Sequence, residues 1–291
     1  MVTIKNKLKR IYQKFYYEYY KRHIFAITSG TRVLPDFLVI GVGRSATTTL
    51  HHNLSKNPCL FSAAYDEIGF FDENFHLGLN WYRSFFPTKS LKNKTIKNNN
   101  FFMSYEVTPS YIRKPWVARR IKEILPNVKL IAILRNPVDR TYSHYNMAVN
   151  EGNEKRSFEE VIKYDLKQLE NFSDSYSTKS DDYFKNVVEN SFVARSFYAE
   201  QLKIWFDIFD KKRIHITTTE NLAIKPQKTF SEIFNFLEIS DYEIPKPENK
   251  RQGVYSPMNK EIRMKLSSFF KPFNDDLYEL LETKFNWNDE L

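Results

Sequence analysis

One cysteine, Cys59, is the whole thiol complement of the 291 residues. It has no internal partner for a disulfide and cannot build a Cys-rich metal site, so the fold must hold without either device, and a reducing compartment is the simpler setting. Long apolar runs are missing too. No stretch approaches the roughly 18 apolar residues that span a bilayer. The start, MVTIKNKLKRIYQKFYYEYYKR, lacks the apolar core of a secretory signal, so the expected location is cytoplasmic. No metal-ligand spacing and no internal repeat is visible, and no metal is expected. What is there is a globular balance, 42% hydrophobic and 27% charged residues, which excludes disordered, collagenous and coiled-coil chains. The net charge of +9 favours an anionic partner. Nucleic acid is not expected, because the Lys and Arg residues are dispersed without a groove-reading motif.

Apolar runs and helical periods alternate along the chain. Residues 1–30 form a basic and aromatic arm in which Tyr12, Phe15, Tyr16, Tyr19 and Tyr20 recur at helical spacing. Docking of this arm on the core is favoured over a membrane-surface helix. Residues 31–291 are assigned to one domain. Asp36 to Val42 (DFLVIGV) and Val128 to Leu134 (VKLIAIL) are continuous apolar runs, the pattern of strands buried on both faces; Ile214 to Thr218 and Met103 to Val107 are further strand candidates. Helical patterns cover 46–56, 114–125, 137–149, 190–208, 226–238 and 259–281, the last carrying Pro272 as a candidate kink. This alternation specifies an α/β fold, a parallel sheet flanked by helices. Two polar stretches, Thr88 to Asn100 and Phe172 to Lys185, are expected to be surface loops.

In such a sheet, ligands bind beyond the carboxyl ends of the strands. The residues there read GVGRSATTTL. Gly41 and Gly43 permit a tight turn, and Ser45 to Thr49 open a helix whose free N–H groups suit a phosphate, with hydroxyls of Ser45, Thr47 and Thr48 as added donors. An ordinary helix cap is the competing reading. The segment fails as an ATP-type P-loop: Ala46 stands where the second Gly belongs and Thr47 where Lys belongs.

Strand, G-x-x-[KR]-[ST]-[GA]-T-[TS]-x-L, then helix resembles the 5′-phosphosulfate loop of sulfotransferases that use 3′-phosphoadenosine-5′-phosphosulfate (PAPS). LIAILRNPVDRTYSHY, Leu130 to Tyr145, is similar to the 3′-phosphate segment of the same family. The resemblance implies a P-loop-like sulfotransferase domain. It implies nucleotide binding by Gly43, Arg44, Ser45, Ala46, Thr47, Thr48 and Thr49 at one end and by Arg135 and Ser143 at the other. Local chemistry agrees, since Asn136 suits a cap and Pro137 a first helical turn. NKRQGVYSPMNKEIRMKL resembles the loop and final helix that close over the nucleotide, which points to Lys250, Arg251 and Gly253.

SAAYDEIGFFDENFHLGLNWYRSFFP, Ser62 to Pro87, resembles the heparan-sulfate and related carbohydrate sulfotransferases, in which a Glu ahead of a Phe-Phe pair is the base. That implies Glu67, followed by Phe70 and Phe71, with Asp66 as its rival and partial burial expected to raise the carboxyl pKa. His51, His52 and His144 sit in no context matching the catalytic His of the small-molecule branch. YEVTPSYI, Tyr105 to Ile112, resembles E-K-[ST]-P-[AS]-Y, but Val107 replaces the Lys; Arg44 likewise replaces the commoner loop Lys while keeping its charge. The implied reaction is transfer of a sulfuryl group from PAPS to a carbohydrate or small-metabolite hydroxyl or amine, with Arg44 and the loop amides stabilising the leaving phosphate. The alternatives are a P-loop kinase or NTPase, which would bind ATP with magnesium, and a non-catalytic basic protein that binds anions or membrane surfaces.

Overall fold

The computed structural model describes residues 21–169, 181, 184–239, 242–244, 247–248 and 255–288. Phe37–Gly41 (β1) is buried along its whole length, with Phe37 to Ile40 fully excluded from solvent, as a strand sandwiched by helices on both faces must be. It is followed by helix α2 (Thr47–Leu54), after α1 (Lys21–Ile27) nearer the amino terminus. The order continues with β2 (Leu60–Ser62), α3 (Gly78–Arg83), α4 (Lys89–Asn99), β3 (Met103–Val107), α5 (Pro115–Ile124), β4 (Lys129–Leu134), α6 (Pro137–Asn150) and α7 (Phe158–Leu169). It ends with α8 (Tyr198–Ile208), β5 (Ile214–Thr218), α9 (Thr219–Ile224), α10 (Pro226–Leu237) and α11 (Lys260–Leu281).

The strands form one parallel sheet in the order β2-β3-β1-β4-β5. The α/β class expected from the sequence is the one found. β1 lies between β3, with Val39 opposite Val107, and β4, with Gly41 opposite Ala132 after a register shift. The chain crosses from one side of β1 to the other here, which opens a crevice at the carboxyl ends of β1 and β4. Leu38, Ile40, Leu130 and Ala132 face one apolar layer with Phe70, Phe71 and Trp205; Phe37, Val39, Ile131 and Ile133 face the other with Leu50, Phe230 and Phe234. Alternation along each strand thus feeds both layers, and each large side chain removed from water contributes about 1.5–3 kcal/mol.

Two expectations need correction. Thr88 to Asn100 is not a loop: the Thr88 side chain accepts the Leu91 N–H at 3.2 Å and caps α4, a helix that buries only Thr95 and so has no apolar stripe to reveal it. The 190–208 helix begins only at Tyr198, after a 3-10 turn at Ala194–Ser196. Pro272, the candidate kink, lies inside α11. The edge strand β2 is three residues long, too short for a periodic signal. Residues 1–20 of the arm and most of the Phe172 to Lys185 stretch lie outside the described residues. The described end of the arm is tied to the core: Arg22, 8% exposed, donates to the Ser84 carbonyl at 2.7 Å and lies over the Phe85 ring at 4.7 Å.

Candidate functional site

The turn after β1 is shaped by two kinds of constraint. A Cβ on Gly41 would sit 2.4 Å from Ile112 Cγ2, so only glycine lets β1 approach the turn after β3 this closely. Arg44 and Ala46, with φ of 74° and 59°, take the left-handed conformation that glycine usually supplies. Ala46 then precedes α2 with no side-chain cap among the described residues, so the ordinary-cap reading does not hold. Ser45 is fully buried, and its Oγ has no hydrogen-bond partner among the described residues. A buried hydroxyl so placed at the amino end of a helix fits an anionic ligand held from the loop side.

The second segment is brought against the first. Asn136 accepts the Val138 N–H at 3.0 Å and Pro137 opens α6, as the sequence implied. Ser143, two turns along and 2% exposed, accepts from Arg44 Nε at 3.2 Å and from a second guanidinium nitrogen at 3.1 Å. Arg135 donates to the Arg44 carbonyl at 3.1 Å. Tyr198 donates to the Arg135 carbonyl at 2.9 Å, and Glu220 accepts the Asn136 N–H at 2.9 Å, so the end of β4 is fixed from α8 and α9. Arg44, Arg135 and Ser143, chosen from two distant stretches, therefore converge. The Arg44 guanidinium points toward α6, with Met147 Sδ 3.5 Å away, and lies at the Ser143 end of the site.

Beside the loop runs a cleft of about 100 Å³ between α2 and α9–α10, lined by Ala46, Thr49, Asn53, Thr219, Leu222 and Phe230. Its rim is pinned by Asn53, whose amide donates to the Glu248 carbonyl at 2.8 Å and accepts the Glu248 N–H at 3.0 Å. Tyr242 donates to the Lys56 carbonyl at 2.8 Å. Lys250, Arg251 and Gly253, the next candidates along this stretch, lie outside the described residues.

On the other side of β1, Glu67 is exposed, at φ 56°, and its N–H donates to the Val107 carbonyl at 2.9 Å. The partial burial expected for it is not found. Asp66 lies 3.2 Å from His51 Nε2, while His51 Nδ1 is 3.0 Å from the Tyr105 hydroxyl. Val107 is buried in the core and contributes no cation. Two buried carboxylates that sequence reasoning missed hold this side together. Asp72 accepts from Lys114 at 2.8 Å and from Ser110 at 2.7 Å; burial pushes its carboxyl up, but Lys114 and Ser110 outweigh burial and hold it below the usual range. Glu106, 1% exposed, accepts from the hydroxyls of Tyr82 at 2.5 Å, Thr108 at 2.6 Å and Tyr111 at 2.7 Å, and burial raises its pKa against those donors. The Tyr111 hydroxyl also accepts the Phe71 N–H at 3.3 Å. The segment from Glu67 to Asp72 is thus stapled to the turn after β3 at three points. Only the E-x-T-P-x-Y pattern hinted at Glu106.

The histidines divide by environment. Arg195 donates to His144 Nε2 at 3.1 Å, so that nitrogen is an acceptor and the ring is neutral. Burial, then Arg140 and Arg195, push His144 far below the ordinary histidine value, and its acceptor nitrogen is already used. His52 pairs with Glu248 at 3.3 Å on the rim of the cleft.

A parallel sheet whose first strand ends in a glycine-led turn, with an Arg–Ser pair converging on it from the next segment, defines an α/β fold with its crevice at the carboxyl ends of the strands. Residues 34–257 match the family model described as the sulfotransferase domain, so the chain belongs to the sulfotransferase family and is a sulfate-transferring enzyme. The membrane-associated sulfotransferase kil1 of Dictyostelium discoideum is 28% identical over 88% of this chain and 67% of its own. The bifunctional heparan sulfate N-deacetylase/N-sulfotransferase of Drosophila melanogaster is 30% identical over 84% of this chain; the match spans 24% of that protein's length. A sulfotransferase from Alicyclobacillus acidocaldarius shares the fold, with a TM-score of 0.64 at 22% identity, covering 88% of this chain and 99% of that one.

Proposed function

We propose that this chain moves the sulfuryl group of PAPS onto a hydroxyl or amine of a carbohydrate or small-metabolite acceptor, with Glu67 as general base. The observation that carries the reading is the meeting of Arg44 with Ser143, which brings a 5′-type loop and a 3′-type segment to one crevice. In this reading Arg135 and Ser143 hold the 3′-phosphate. Ser45 Oγ and the N–H groups of Thr47, Thr48 and Thr49 hold the 5′ end, and the cleft beside Thr49 and Leu222 takes the base. Lys250, Arg251 and Gly253 cover the phosphates. The bound nucleotide supplies a sulfuryl group on a phosphate leaving oxygen.

Arg44 provides the loop's positive charge, which Arg delivers as a fixed donor fork. Glu67 takes the acceptor's proton on a carboxylate oxygen, and its exposure puts the residue at the surface, within reach of an acceptor arriving from solvent. The Val107 carbonyl fixes the Glu67 backbone. Incubation with radiolabelled PAPS and a panel of oligosaccharides, lipids, alkaloids and phenols tests the reading. Label is expected on an acceptor, and Glu67→Gln is expected to keep adenosine 3′,5′-bisphosphate binding while turnover falls about 100-fold or more. Near-wild-type turnover in that variant would remove Glu67 from the role. Tight binding of ATP with magnesium, and no labelled acceptor, would favour the kinase alternative.

A further inference from the structure

Charge is segregated along this chain. Between Glu73 and Glu106 there is no Asp or Glu, yet Arg83, Lys89, Lys92, Lys94 and Lys97 fall in that interval. From Met1 to Pro35 the only acid is Glu18, against Lys5, Lys7, Lys9, Arg10, Lys14, Lys21, Arg22 and Arg32. The two stretches together hold twelve more cations than anions, so with a whole-chain net charge of +9 the rest of the molecule is net negative.

The fold joins the described end of the first stretch, residues 21–35, to the second. Val33 N–H donates to the Pro87 carbonyl at 3.0 Å, Arg32 pairs with Thr88 in an antiparallel bridge, and the Arg32 guanidinium donates to the Phe86 carbonyl at 2.7 Å. α1 packs on α3. α4 leads into the start of β3, and Arg32 and Val33 lead into the start of β1. Their common surface therefore lies at the amino ends of these strands, opposite the carboxyl ends that carry Arg44 and Arg135. α4 is one-sided: Thr95 faces inward and Lys92 lies over the Phe102 ring at 5.6 Å, while Lys89, Lys94 and Lys97 are exposed. Leu91 and Ile96 flank them at 38% and 39% exposure, and Ile24 and Ile27 of α1 are 50% and 85% exposed.

A helix that carries lysines and no acid gains no intrahelical ion pairs, and its like charges repel. Such a row is relieved by an anionic counter-surface. Ammonium groups interspersed with exposed aliphatic side chains match a headgroup layer over acyl chains, whereas nucleic acid would call for exposed aromatic platforms or a groove. We propose that the α4 face, together with the α1 end of the basic arm, docks on a membrane surface rich in anionic phospholipid. The proposal does not depend on the identity of the sulfuryl donor or acceptor.

Co-sedimentation of the full chain with vesicles of phosphatidylcholine, with or without phosphatidylserine, tests it. Binding is expected only with phosphatidylserine and is expected to weaken as salt rises. The triple variant Lys89→Gln, Lys94→Gln, Lys97→Gln is expected to lower partitioning at least about tenfold, since each lysine near such a surface is worth about fivefold. These side chains are exposed and away from the crevice, so bisphosphate binding stays at the wild-type level and reports an intact fold. Ile27→Asn is expected to weaken binding further. Equal binding to both vesicle types, an unchanged triple variant, or retention on heparin or DNA with no vesicle binding would each overturn the proposal.

Discussion

Arg44 and Ser143, 99 positions apart, are joined by two guanidinium hydrogen bonds of 3.2 and 3.1 Å. The loop after β1 and the first turns of α6 therefore act as one unit, and the carbonyl of Arg44 extends that unit to Arg135. A ligand anchored at one end of the crevice is held in fixed relation to the other, which is the positioning that group transfer requires.

Packing around Gly41 gives the first prediction. Gly41→Ala would place a Cβ 2.4 Å from Ile112 Cγ2, and overpacking of this kind destabilises by about 1–3 kcal/mol. In an Ile112→Ala background the Gly41→Ala penalty is expected to shrink by about 1 kcal/mol or more. Urea unfolding of the four proteins in the cycle measures this; additive losses would show that the close approach does not limit the turn.

A second concerns the Tyr111 hydroxyl, which donates to Glu106 and accepts from Phe71 N–H. Tyr111→Phe leaves one buried carboxylate short of a donor and one N–H without its acceptor, for a loss of about 1–3 kcal/mol. Because the Glu67 segment hangs on the same contact, turnover is expected to fall more than nucleotide affinity. Calorimetry and steady-state kinetics on the variant separate the two, and parallel losses would contradict the stapling role.

A third follows from His144 and His215. Burial, then Arg140 and Arg195, push His144 far down, and burial alone pushes His215 to about 4. In the unfolded chain both protonate near pH 6.5, so below that value the unfolded state binds more protons and stability falls with pH. For His215 the loss is complete near pH 4, where the folded ring also protonates. Each histidine contributes a slope of up to about 1.4 kcal/mol per pH unit within its window. Denaturant unfolding from neutral to mildly acid pH should show a shallower slope in His144→Asn and in His215→Asn; identical slopes in all three proteins would refute the buried neutral rings.

Strands such as Phe37–Gly41 and Lys129–Leu134 were legible because strands buried on both faces need continuous apolar or β-branched runs, and the loop residues because phosphate binding constrains spacing locally. The α4 helix was not, since Lys and Asn fill most of its exposed positions and its two aliphatic residues, Leu91 and Ile96, are themselves exposed, so no apolar period shows. The Asp72–Lys114 and Glu106–Tyr82 contacts were hidden for a different reason. They form only once β3 pairs with β1 and carries residues 108–114 against 67–72, a tertiary fact that no local pattern encodes. The left-handed Arg44 and Ala46 also escaped, because glycines nearby made the turn readable without them.

Calorimetric titration of the full chain with adenosine 3′,5′-bisphosphate and, separately, with adenosine 5′-phosphate asks whether one crevice grips both ends of the nucleotide. The bisphosphate is expected to bind at least about tenfold tighter, and Ser143→Ala or Arg135→Ala to remove most of that advantage while leaving the monophosphate within about twofold, because each hydrogen bond to a charged group is worth about 1.5–3 kcal/mol. Equal affinity of the wild-type chain for the two nucleotides would contradict the 3′-phosphate role of Arg135 and Ser143, and with it the reading of the crevice as a PAPS site.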